Sequence, residues 1–113
     1  MPAGSVRHEK IISYWLIHWV DKPYLNEIHC HTKEQGLVGT LRFYPRGKVP
    51  RSVLKNPPLF DLNFDIERYQ EIIETLRYEK PIKVYVEWDA NNTVTNGYLA
   101  TPEAEPIGEQ EGV

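Results

Sequence analysis

The sequence predicts an α+β domain: a mostly antiparallel sheet of about six strands with one amphipathic helix, in the order β-β-β-loop-β-α-β-β. Three observations carry that prediction. Several short runs alternate apolar and polar residues at period two, as half-buried strands do. The segment that begins near Asp65 instead repeats its apolar residues at three- and four-residue spacing. A chain of 113 residues has room for one core, so these elements belong to a single domain spanning residues 1–101. The pattern leaves open whether the sheet curls toward a barrel.

The first strand is read at Ile11–Val20, rich in β-branched and aromatic residues and ended by the turn signal Asp21-Lys22-Pro23. Leu25–Thr32 and Gly36–Tyr44 follow as the second and third, joined by short turns into a meander. In the third, Leu37, Gly39, Leu41 and Phe43 share one face and Val38, Thr40, Arg42 and Tyr44 the other. Pro45–Pro58 breaks the alternation with four prolines, one glycine and four cations in 14 residues. Proline fixes φ and removes a backbone donor, so this reads as a long irregular loop. A short strand then sets Phe60, Leu62 and Phe64 against Asp61 and Asn63.

Asp65 is a good N-cap, because its carboxylate accepts from the free amides of a first helical turn. Phe64 and Tyr69 occupy hydrophobic-staple positions, and Ile66, Tyr69, Ile72, Ile73 and Leu76 form one apolar stripe. Pro81 ends the helix by displacing Lys80 from the helical region. Ile82–Trp88 is a strand with Ile82, Val84, Val86 and Trp88 inward; Asp89–Asn96 is a polar hairpin loop and Gly97–Thr101 the last strand. If the strands on either side of the helix share a sheet, their crossover is right-handed. Residues 102–113 carry four Glu and no cation, the composition of a disordered acidic tail.

Cys30 stands alone, so it forms neither an intrachain disulfide nor a multi-cysteine zinc site. With no apolar run of membrane-spanning length, the expectation is a soluble cytoplasmic protein with no membrane partner. Cys30 faces the core in this reading and is an inert small hydrophobe.

Pairing the first two strands across Asp21–Tyr24 sets Val20 opposite Leu25, His18 opposite Glu27, Leu16 opposite His29 and Tyr14 opposite His31. Trp15, Ile17, Ile28 and Cys30 then share the apolar side, and His18, Glu27, His29 and His31 the other. Three imidazoles and a carboxylate on one face are raw material for a zinc or iron site. The plainer reading is a solvated hairpin face, which requires no cofactor.

Charge is split along the chain: residues 1–56 hold nine Lys/Arg against four Asp/Glu, and residues 57–113 hold four against twelve. Between Gln35 and Phe60 lie Arg42, Arg46, Lys48, Arg51 and Lys55 with no acid. These five could meet an anionic partner, or pair with Glu67, Glu71, Glu74 or the acidic tail. With neighbouring aromatics they also suit single-stranded nucleic acid, although a net charge of −3 argues against a dedicated nucleic-acid domain. No nucleophile elbow and no phosphate-binding glycine loop is present, so the sequence favours a non-enzymatic binding module over an enzyme. Its expected partner is another protein or a second copy of itself.

Overall fold

The computed structural model describes residues 3–78 and 82–100. The expected helix stop at Pro81, the last residue of the final strand and the acidic tail lie outside the described residues. Seven strands and one helix are present among those described: β1 (Gly4–Ile11), β2 (Ser13–His18), β3 (Asn26–Thr32), β4 (Gly36–Tyr44), β5 (Phe60–Asp65), α1 (Tyr69–Tyr78), β6 (Ile82–Trp88) and β7 (Val94–Ala100). They form two sheets, β1-β6-β7 and β2-β3-β4-β5, and no closed barrel. Every neighbouring pair is antiparallel except β4 and β5, which are parallel.

The sequence reading begins its first strand at Ile11 and so omits β1. The inward residues of β1 are only Val6, His8 and Ile11, facing Val86, Val84 and Ile82 of β6. Arg7, Glu9 and Lys10 dilute the apolar alternation, and pairing with β6 supplies the order that propensity does not. At Ile12 the chain leaves one sheet for the other. The Ile12 N–H donates to His31 O at 3.1 Å, while Ser13 is the register partner of the same His31. Two residues opposite one is a β-bulge, and the bend it introduces lets one continuous segment serve both sheets.

The proline-rich loop has a topological cause. Parallel neighbours cannot be joined by a tight hairpin and need a crossover of about a dozen residues. Residues 45–59 are that crossover, and they are packed rather than free. Leu54 is 1% exposed and belongs to the core. Its N–H donates to Asn92 O at 2.8 Å, Val53 bridges Thr93, and Val94 N–H donates to Ser52 O at 2.9 Å. On the opposite side, Ser52 Oγ accepts from the Asn63 N–H of β5 at 2.9 Å. The loop therefore ties the outer strand of one sheet to the outer strand of the other.

Asp65 caps the helical segment as expected, accepting from Glu67 N–H at 2.9 Å, through a 3-10 turn at Ile66–Arg68 that leads into α1. Phe64 and Tyr69 both pack on Phe43, at ring distances of 5.5 and 5.1 Å. Ile72, Ile73 and Leu76 point into the core. Because β5 and β6 lie in different sheets, α1 bridges the two layers and the same-sheet crossover rule does not apply. No helix among the described residues is long and apolar enough to cross a membrane.

The core lies between the layers. Ile28, Cys30, Leu41, Phe43, Phe60 and Leu62 come from the four-stranded sheet and Ile82, Val84, Val86 and Trp88 from the other. Gly39 is required where it stands: a Cβ there would come within 2.3 Å of the Phe60 ring, which lies flat over it. Burial pushes the Cys30 thiol up to about 12, consistent with a packing role.

Candidate functional site

The site is the outer face of the four-stranded sheet, and its composition follows from register. The β2–β3 connection is one residue longer than the sequence reading assumes. Trp19 N–H donates to Leu25 O at 2.9 Å, so Val20–Tyr24 forms the loop and Val20 projects fully into solvent. The pairs are Ser13 with His31, Trp15 with His29, Ile17 with Glu27 and His18 with Asn26. Because side chains alternate at period two, a slip of one residue moves all of β2 to the other side relative to β3. The expected pairing of His18 with Glu27 is thereby corrected.

The four candidate metal ligands are divided by this slip. His18 takes the inner side, with its Nδ1 2.6 Å from Asn26 Oδ1 and its ring 6.4 Å from Tyr69. Glu27, His29 and His31 keep the outer side of β3. Among the described residues, no group of three or more His, Cys, Asp or Glu is arranged to hold a metal ion.

Trp15 and Ile17, expected inside, line the outer face instead. Two rows cross it: Trp15, His29, Thr40 and Asp61, then Ile17, Glu27, Arg42 and Asn63. At its centre Glu27 is 5% exposed, although it lies on the side away from the core. A carboxylate taken out of water costs several kcal/mol unless it is paired and hydrogen-bonded. Here the Arg42 Nε donates to Glu27 Oε2 at 2.9 Å and the Trp19 indole N–H to Oε1 at 3.0 Å. His29 Nε2 lies 3.4 Å from the same Oε1. Arg42 also donates through Nη1 to Asp61 at 3.3 Å, linking three strands. Burial opposes the Arg42 charge, but the Asp61 and Glu27 carboxylates prevail and hold its pKa above the ordinary value.

Aromatic side chains cover this network. The Arg42 guanidinium sits 5.2 Å from the Tyr24 ring centre, and Tyr24 meets Tyr44 at 5.6 Å and Trp19 at 6.4 Å. Burial raises the pKa of the Tyr44 hydroxyl. Trp15 meets the His29 ring edge-on at 5.5 Å and remains 61% exposed, the largest apolar side chain presented to solvent on this face.

The five cations separate into two groups. Arg42 is committed to Glu27 and Asp61 and is no longer a free anion contact. Arg46 pairs with Glu67 at 2.6 Å, a solvent-exposed contact between the basic loop and the acidic half that contributes about 0–1 kcal/mol. Lys48, Arg51 and Lys55 are exposed. The loop carrying them is fixed along the β5 border of the outer face. Asn63 Nδ2 donates to Pro50 O and Arg51 O at 3.3 and 3.4 Å, and Lys55 N–H to Asp61 Oδ2 at 3.4 Å. Aromatic surface on the β2 side and cations on the β5 side thus flank one face.

The residues that sequence reasoning missed here are Trp15, Tyr24 and Asp61. Alternation in β3 marks Ile28 and Cys30 as inward without ambiguity. In β2, Tyr14 and Leu16 are as apolar as Trp15 and Ile17, so only the loop length decides parity. The chain matches no family, no curated protein and no solved structure.

Proposed function

We propose that this chain is a non-enzymatic protein-interaction module whose contact surface is the outer face of the β2–β5 sheet, with the basic loop as its rim. The observation that carries the reading is Trp15, exposed on a face whose polar centre is already internally satisfied. Both Glu27 oxygens are engaged and Arg42 is held between two carboxylates, so the centre is a rigid support. Aromatic residues and Arg are the side chains that dominate protein-partner contacts, and a preorganised platform loses little entropy on binding. Lys48, Arg51 and Lys55 favour a partner that is acidic where it meets the β5 border. Single-stranded nucleic acid fits less well, because Arg42 and Arg46 are occupied by acids.

Affinity capture from source cells with the full chain, compared across variants, tests this reading. The expected result is a partner retained by wild type and by Tyr85→Ala, a control on the outer face of the other sheet. That partner is lost with Trp15→Ala and with Arg51→Glu/Lys55→Glu. Retention indifferent to both changes, or no specific partner at all, would overturn it.

A further inference from the structure

We infer that two copies of this chain associate by antiparallel pairing of their β2 strands, joining two four-stranded sheets into one. The inference concerns the strand edge and holds whatever protein the outer face engages.

A sheet edge presents unpaired N–H and C=O groups, and folded proteins blunt such edges with charge, proline, bulges or covering segments. Two of the outer strands here are treated in that way. At β5, Ser52 Oγ takes the Asn63 N–H, and Pro50 and Arg51 lie alongside. At β7, Val94 N–H bonds Ser52 O, and Arg68, Glu71 and Thr75 from the helical segment line a cleft of about 430 Å³ against Gly97, Tyr98 and Leu99. β2 carries a bulge only where it begins, at Ser13, and there Leu76 of α1 lines a cleft against Ser13 and Tyr14; from Leu16 onward it has none of these devices. Its sequence, Ser-Tyr-Trp-Leu-Ile-His, contains no Lys, Asp, Glu or Pro.

The hydrogen-bond phase identifies which backbone groups are free. In an antiparallel ladder, bonded and non-bonded pairs alternate. The Trp19 to Leu25 bond makes that pair a bonded one, so Ile17, Trp15 and Ser13 also direct their N–H and C=O toward β3. Tyr14, Leu16 and His18 direct theirs away. Among the described residues no other strand pairs with β2.

A second copy meets these groups with its own. For both outer faces to lie on one side, residues of like parity must pair across the joint. A two-fold axis through Leu16 does this: Tyr14 meets His18 of the other copy, Trp15 meets Ile17, and roughly six backbone bonds close. The strand holds no Lys, Arg, Asp or Glu, so no like charges from such residues are opposed. Each Trp15 gains cover from the Ile17 of the other copy, once on either side of the axis. An acidic or basic foreign strand would find no complementary charge on β2, whereas its own copy needs none.

Sedimentation of the full chain from micromolar to millimolar concentration tests the inference, with far-ultraviolet circular dichroism confirming that each variant is folded. Wild type is expected to reach twice the chain mass. Trp15→Lys and Ile17→Lys, each placing a gatekeeper charge at the joint, are expected to weaken the dimer by more than about tenfold. Arg51→Glu/Lys55→Glu is expected to leave it intact, which separates failure of this inference from failure of the outer-face reading. A wild-type chain that stays monomeric throughout, or a dimer indifferent to both lysine variants, would overturn it.

Discussion

The two borders of the four-stranded sheet are built on opposite plans. At β5 the chain returns over its own edge: the crossover 45–59 buries Leu54, bonds Asn63 and reaches into β7. At β2 no strand pairs with the open side among the described residues, and the side chains from Tyr14 to Ile17 are aromatic and aliphatic. One border is internal architecture; the other is contact surface. The difference originates in strand direction. A parallel β4–β5 pair requires a long connection, and a long connection can be used to cover an edge. The antiparallel β2–β3 pair needs only Val20–Tyr24, which leaves no chain to spare for the other side.

The largest expected effect removes the covered border. Leu54→Ala empties a core position supplied by a loop, and is predicted to cost about 3 kcal/mol in chemical denaturation. A loss near zero would mean that the crossover is a surface loop, as the sequence alone suggests. Next is the network that ties the borders together. Arg42→Met leaves Glu27 and Asp61 without their cation beneath Trp19 and Tyr24, and about 2 kcal/mol of destabilisation is expected, allowing for partial exposure of the pair. The same change is expected to leave the inner core, and hence near-ultraviolet signals from Trp88, unaltered.

The smallest effect is a pH dependence at His8 of β1, where its ring faces Phe60 of β5. His8 packs 6.3 Å from Phe60, and burial lowers its pKa below the ordinary value of 6.5. The folded state therefore favours neutral His8. Its contribution is fully present above about pH 6.5 and is lost as pH falls toward the depressed folded value. Thermal unfolding of His8→Gln is expected to show a shallower acid-side decline than wild type; parallel declines would contradict that assignment.

Much of this architecture was legible in the residues. The α1 stripe, the Asp65 cap and the strict alternation of Ile82, Val84, Val86 and Trp88 each have a single periodicity that admits one answer. What escaped was decided by partners distant in sequence. β1 is too charged to announce itself and exists because β6 pairs with it. The ordering of the loop depends on Asn63 and Asn92, which lie well beyond it. The candidate site suffered most, because Tyr14-Trp15-Leu16-Ile17 is apolar on both parities and a single added loop residue reverses which face each side chain takes. That reversal removed His18 from the histidine cluster and put Trp15 on the surface. The loop cations were visible as a group, and Glu67 as an acid they could pair with, but not that Arg42 would be matched to Glu27 and Asp61.

Residue-resolved amide hydrogen exchange, followed as a function of protein concentration, compares the two borders within one experiment. The account predicts that Asn63 and Val94 are protected at every concentration, because the crossover holds them within each molecule. Tyr14, Leu16 and His18 should exchange rapidly in dilute protein and become protected as it is concentrated. Rapid exchange of those three amides at all concentrations, or fast exchange at Asn63, would contradict the division of the sheet into a covered border and a contacting one.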